Sequence, residues 1–110
     1  MNITQSKEGA FVVLAPAGRM DAITAPQFEE HCLACLAAGD KRLVVDLSGL
    51  EYISSAGLRS ILSAAKKLKA AGGDLAFCAL SGIVAEVFSV SGFDKLLPVL
   101  PTRQEALARA

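Results

Sequence analysis

Hydrophobic and polar positions along the chain change their period several times, and each change marks an element. The opening NITQSKEG alternates weakly and ends at Gly9, as a short edge strand does. AFVVLAPAG follows as an apolar run, with Pro16 near its end and Gly18 closing it, so the two segments read as a hairpin. DAITAPQFEEHCLACLAAGD predicts the first helix. Thr24 stands at an N-cap, Gln27 at the capping-box position, and Pro26 in the first turn, where no backbone donor is needed. Phe28, Cys32, Cys35 and Leu36 then keep helical spacing until Gly39. RLVVDL is a short, nearly continuous apolar run, the pattern of a strand covered on at least one face.

From Ser55 onward, Leu58, Ile61, Leu62, Ala65 and Leu68 trace an i, i+3, i+4, i+7 stripe, while Arg59, Lys66, Lys67 and Lys69 fall away from it. This predicts an amphipathic helix stopped by Gly72-Gly73. DLAFCAL reads as another strand, Ser81 as the cap of a shorter helix GIVAEVFSVSG ending at Gly92, and KLLPVL as a last short strand. TRQEALARA carries a Thr102-to-Glu105 capping box and predicts a terminal helix. The order β-β-α-β-α-β-α-β-α describes an α/β fold, a mixed but mostly parallel sheet with about four helices packed on it. The opening hairpin supplies the antiparallel part. Neither linker nor repeat interrupts residues 1–110, so a single domain is expected. Polar residues beyond the strand ends of such a sheet gather on one rim, where ligands and partners dock, and DLSGLEYISSAG falls there.

Composition narrows the function. Eleven Lys and Arg balance 11 Asp and Glu, which removes the basic excess that nucleic-acid binding requires. No run approaches the roughly 20 apolar residues of a bilayer span, and the start lacks the pattern of a secretory signal, so a cytoplasmic protein is expected. Three cysteines are too few for a disulfide framework.

Four groups of residues are candidates for chemistry. In Ser54-Ser55-Ala56-Gly57 one serine can serve as a helix cap, worth about 0.5–2 kcal/mol. A cap does not call for a nearby glycine, however, and Gly57 in a first turn costs roughly 1 kcal/mol against Ala. Gly57 therefore marks a close approach by another backbone or another molecule. The alternative to a plain cap is phosphorylation, which the positive end of a helix tolerates and which would bring about −1.5 to −2 charges to a docking surface. Cys32 and Cys35 form a Cys-x-x-Cys, but inside a helix on its apolar stripe, which favours core thiols over a redox pair. A zinc site would have to draw on His31 and Cys78, and helical geometry turns His31 off the Cys32 and Cys35 face. Asp21, Asp46 and Asp94 could do acid–base work or bind a cation, but the simpler expectation is that they hold loop amides. Lys66, Lys67 and Lys69 form the solvated face of their helix and can add charge to a partner contact. With no phosphate-cradling loop, no nucleophile elbow and no second histidine, the reading is a binding protein, not an enzyme, with no cofactor and no metal.

VVDLSGLEYISSAGLRSIL, preceded by GRMDAITAPQFEE and followed by DLAFCALSGIVAEVFSVSGFDKLL, resembles the STAS domain, a name joining sulfate transporters with anti-sigma factor antagonists. The three stretches stand in the family's order and span nearly the whole chain. A free-standing member resembles a bacterial anti-sigma factor antagonist working in a partner switch. The resemblance implies that the unphosphorylated protein binds an anti-sigma serine kinase of the histidine-kinase ATPase class and so frees a sigma factor. It implies that the kinase ends binding by phosphorylating a hydroxyl at the start of the second helix, and that a PP2C-type phosphatase restores it. Direct contact with nucleic acid and insertion into a membrane are not implied.

The family's usual stretch reads Asp-Ser-Ser-Gly-Leu or Asp-Ser-Thr-Gly-Leu, with the second hydroxyl residue as phosphoacceptor. Aligned on Gly57-Leu58, this chain has Ser54 in place of the Asp, Ser55 at the first hydroxyl and Ala56 at the acceptor. Either Ser55 takes over the acceptor role or the domain binds constitutively. Asp21 matches the acid closing the family's GELD-like turn. The expected phosphorylation site is Ser55, and the expected partner-binding residues are Asp21, Ser54, Ser55, Gly57 and Leu58. Two alternatives remain: a STAS scaffold or soluble transport subunit without the switch, and a thiol redox or metal protein using Cys32 and Cys35.

Overall fold

A computed structural model describes residues 1–109. Its strands are β1 (Asn2–Glu8), β2 (Phe11–Met20), β3 (Arg42–Asp46), β4 (Leu50–Ile53), β5 (Asp74–Cys78) and β6 (Val99–Leu100). Its helices are α1 (Ala25–Ala37), α2 (Ser55–Ala70), α3 (Gly82–Ser91), α4 (Phe93–Leu96) and α5 (Arg103–Leu107). The fold is the expected mixed, mostly parallel sheet. β1 and β2 pair antiparallel and every other pairing is parallel, in the order β1-β2-β3-β5-β6 with β4 on β2. Glu8 pairs with Phe11 across a two-residue turn, and Gly9 takes φ +62° there, the positive value that tight hairpins require.

Side-chain alternation sorts the core into two layers. Val12, Leu14, Leu43, Val45, Leu75 and Phe77 face α1, α2 and α3, which contribute Phe28, Cys32, Ile61, Leu68, Val84 and Phe88. Phe11, Val13, Val44 and Cys78 face the opposite side, where α5 closes the layer with Ala106. α5 is also held electrostatically: Arg103 bonds Asp46 at 2.9 Å and Glu8 at 3.1 Å, and Arg109 bonds Asp74 at 2.9 Å.

Pro16 sets the course of β2. That strand lies inside the sheet, where a residue without an N–H is normally excluded. Pro16 is accommodated because β2 changes partner around it: Val12–Leu14 pair with β3, and Gly18–Met20 pair with β4. The join is closed by the Gly18 N–H donating to the Gly49 carbonyl at 3.0 Å, with a register shift between Gly18 and Arg19.

Several expectations need correction. β4 lies within DLSGLEYISSAG, the rim stretch between a strand and the next helix, where no strand is expected. A fifth helix, α4, takes Lys95 and Leu96 from the expected KLLPVL strand; Leu97 is extended, and only Val99–Leu100 pair as a strand. The left-handed Gly92 (φ 78°) turns the chain there so that Phe93 packs edge-to-face on Phe88 at 6.0 Å, and that packing holds the extra turn. Ser81 occupies its N-cap position without a side-chain cap bond, whereas the Thr102 hydroxyl accepts from the Glu105 N–H at 3.1 Å as expected.

Candidate functional site

β2 and β4 run side by side and end together, with Met20 in register with Ile53. The next residue of each strand, Asp21 and Ser54, therefore emerges beside the other on the rim, and the Ser54 N–H donates to the Met20 carbonyl at 2.9 Å. Ser54 has extended backbone (φ −95°, ψ 175°), and its hydroxyl accepts from the Gly57 N–H at 3.2 Å. Its carbonyl accepts from the Leu58 N–H at 2.9 Å. Ser54 is thus the cap, and Ser55 is the first helical residue, exposed to solvent. The amides of Ser55 and Ala56 have no intrahelical acceptor and carry the positive end of the α2 dipole.

The close approach marked by Gly57 is made by the protein itself, by the Ile53 side chain and the Met20 backbone. Gly57 is buried, and a Cβ on it would lie 2.7 Å from Ile53 Cγ1 and 2.8 Å from the Met20 carbonyl oxygen. It lets α2 start directly against the ends of β2 and β4. Leu58 is half-buried against the main core. Of the five expected partner-binding residues, Asp21, Ser54 and Ser55 reach the rim surface, while Gly57 lies inside and Leu58 packs beneath.

Asp21 organises the other half of the rim. Its Oδ1 accepts from the Thr24 N–H at 3.1 Å and the Ile23 N–H at 3.0 Å. These two amides, aided by the Thr24 hydroxyl and the Arg19 charge, hold its carboxyl below the ordinary value of 3.8. Thr24 departs from its expected role as a side-chain cap of α1. Its hydroxyl is already committed, donating to the Arg19 carbonyl at 2.7 Å and accepting from the Asp21 N–H at 2.9 Å. Arg19 extends over the Tyr52 ring at 4.1 Å, bridging β2 and β4 just below the rim. Ile23 projects from the Asp21–Thr24 loop with 84% of its surface exposed. The sequence pattern alone makes Thr24 a plain cap and gives Ile23 no role. The one available signal was Asp-Ala-Ile-Thr, an Asp three residues before a Thr with an isoleucine between them, outside any apolar period.

The remaining candidates separate. Asp46 turns toward α5. Burial opposes its ionisation, yet the Ser48 N–H and Arg103 hold its carboxyl below 3.8. Asp94 is exposed in the first turn of α4, so the three acids do not converge. All three thiols are buried; burial pushes Cys32 up to about 12 and Cys78 up to about 11. Among the described residues no cluster of three or more His, Cys, Asp or Glu side chains forms a metal site. Lys67 is drawn to Glu29 on α1 at 2.6 Å, while Lys66 and Lys69 remain on the exposed face of α2. No helix among the described residues is long and apolar enough to cross a membrane.

Residues 2–106 match the STAS domain family. The chain belongs to that family. Among curated relatives, this STAS domain is 39% identical over 108 residues to BtrV of Bordetella bronchiseptica, a protein named as a candidate anti-sigma factor antagonist, covering 98% of this chain and 93% of that one. It is 28% identical to the anti-sigma-F factor antagonist RsfB of Mycobacterium tuberculosis, covering 97% of this chain and 87% of the relative. An anti-sigma factor antagonist from Mycobacterium paratuberculosis, known as a crystal structure, superimposes with a TM-score of 0.86 at 28% identity, over 96% of this chain and 90% of that one.

Proposed function

We propose that this STAS domain is an anti-sigma factor antagonist, a binding module rather than an enzyme, which docks an anti-sigma serine kinase through the rim formed by Asp21, Ser54 and Ser55. One observation carries the switch: the two serines divide their work. Ser54 spends its hydroxyl on the Gly57 amide, while Ser55 is exposed beside two unpaired helix amides. A phosphate on Ser55 would meet the positive end of α2 and leave the cap intact. It would also set about −1.5 to −2 charges on the surface the partner must approach, beside the carboxylate of Asp21. Docking would stop while the fold persists. A PP2C-type phosphatase would reverse the modification, all in the cytoplasm, and the names of the curated relatives support the same reading. Ala56, at the family's usual acceptor position, has no hydroxyl, so the modification falls to Ser55.

The test pairs the protein with its cognate anti-sigma factor and ATP. Intact mass should rise by a single phosphate, located at Ser55, and Ser55→Asp should lose binding by tenfold or more while unfolding at the wild-type urea concentration. A chain that stays unmodified, and whose Ser55→Asp form binds as tightly as wild type, would sink the switch and leave a constitutive binder. Recovery with a transport complex, and with no kinase, would sink the antagonist reading itself.

A further inference from the structure

At the end of the sheet opposite the rim, a groove of about 390 Å³ lies between the C-terminal half of α2, the start of β5 and the α4–β6 connection. Leu62, Leu75, Leu96 and Pro98 give it apolar walls, and Leu96 keeps 67% of its surface exposed. Lys66 and Lys69, one helical turn apart, stand on its edge. Lys66 lies about 16 Å along α2 from Ser55 at 1.5 Å per residue.

The charge balance at this groove is one-sided. Asp74, its one acidic lining residue, is occupied by Arg109 at 2.9 Å. Lys67, the third lysine of the run, is occupied by Glu29 and does not line the groove. Lys66 and Lys69 have no salt-bridge partner among the described residues. Both can donate to an anion while the walls cover a hydrocarbon body, the arrangement of a small-molecule pocket with few polar groups on an apolar lining. The volume is at the small end of ligand pockets, which run from roughly 300 to 1,000 Å³.

We infer that this groove is a binding site for a medium-chain alkyl carboxylate, its chain against Leu62, Leu75 and Pro98 and its carboxylate between Lys66 and Lys69. The site is separate from the rim and does not depend on the antagonist reading. It gives the lysine run a use beyond solvating a helix.

Decanoate, kept below its micelle-forming concentration, is the probe, read by amide chemical shifts of the full chain. Saturable one-site binding is expected, with shifts confined to the neighbourhood of Ala65, Gly73 and Leu75. Octanoate should bind about tenfold more weakly than decanoate, as the loss of two buried methylenes requires. The Lys66→Gln, Lys69→Gln double variant should bind decanoate about fivefold or more weakly, with decanol affinity unchanged. Failure to saturate, equal affinity for octanoate and decanoate, equal loss of decanol in the double variant, or shifts centred on Ser55 would each overturn the assignment.

Discussion

The Ser54 N–H donates to the Met20 carbonyl at 2.9 Å, and the same carbonyl oxygen lies 2.8 Å from where a Cβ of residue 57 would stand. One backbone atom at the end of β2 thus receives the chain leaving β4 and limits the side chain that the first turn of α2 can carry. Gly57→Ala should destabilise the protein by about 1–2 kcal/mol. The clash is with Ile53 Cγ1 and with the backbone carbonyl of Met20, which cannot step aside, and it outweighs the roughly 1 kcal/mol that Ala gains over Gly in a helix. Urea denaturation reads the loss; a stability equal to wild type would show that α2 can shift away from β2.

The two serines should differ in stability as they differ in geometry. Ser54→Ala removes the acceptor of the Gly57 N–H and should cost about 1 kcal/mol. Ser55→Ala, at an exposed first helical position, should stay within about 0.5 kcal/mol of wild type. Equal losses in thermal or urea unfolding would contradict the assignment of the cap to Ser54.

Acid should weaken the fold. Asp21 is held below 3.8 by the Thr24 and Ile23 amides, Glu29 below 4.5 by Lys67 and Ser63, and Asp46 below 3.8 by Ser48 and Arg103 against the cost of its burial. A carboxyl whose folded pKa is depressed contributes stability above its unfolded pKa and loses it as the pH falls through the folded one. The urea midpoint should therefore hold nearly constant from neutral pH to about 5 and drop below about 4. Asp21→Asn should flatten part of that drop.

Arg103 is the main electrostatic tie of α5, and Arg103→Ala would leave the buried Asp46 carboxylate with the Ser48 N–H alone. Discounted for the half-exposed arginine, the cost should be about 1–2 kcal/mol. Because α5 packs on the face of the sheet opposite α2, partner binding in the cold should be unchanged. A loss of binding without a loss of stability would place Arg103 in the interface.

The thiols should be silent. With Cys32 raised to about 12 and Cys78 to about 11 by burial, and Cys35 raised for the same reason, the native protein should react with a thiol reagent at pH 8 far more slowly than the urea-unfolded chain. Fast reaction of Cys32 or Cys35 in the native state would reopen the redox reading.

The parts of the fold that were legible in the sequence are those carried by long periodic stretches. The α2 stripe of Leu58, Ile61, Ala65 and Leu68 and the apolar run of β3 survive any choice of partner, so local pattern suffices. β4 was missed because its four residues are too few for a period, and its pairing depends on a β2 strand that changes neighbour at Pro16. α4 was missed because Gly92 and the Phe88–Phe93 contact wind Phe93–Leu96 into a helical turn, and the extended course resumes only at Leu97. At the rim, the sequence showed that Ser54 or Ser55 would cap and that Gly57 would meet something close. Only three-dimensional pairing showed which serine capped, and that the close neighbour was the carbonyl of Met20. The role of Thr24 was hidden for the same reason: its hydroxyl bonds Arg19, five residues back on the other side of a bend.

The partner change at Pro16 has a consequence for how the molecule breathes. The β2–β4 ladder that ends at Asp21 and Ser54 is short and is separated from the β2–β3 ladder by Ala15, Pro16 and Ala17, the middle one with no amide to lend. Opening of the rim therefore need not propagate into the central strands. Amide hydrogen exchange would register two tiers: rapid exchange at Arg19, Tyr52 and Ile53, and protection near that of global unfolding at Val44, Val45 and Ala76. On the proposed docking role, the rim would then open and close on a sheet whose central strands stay shut.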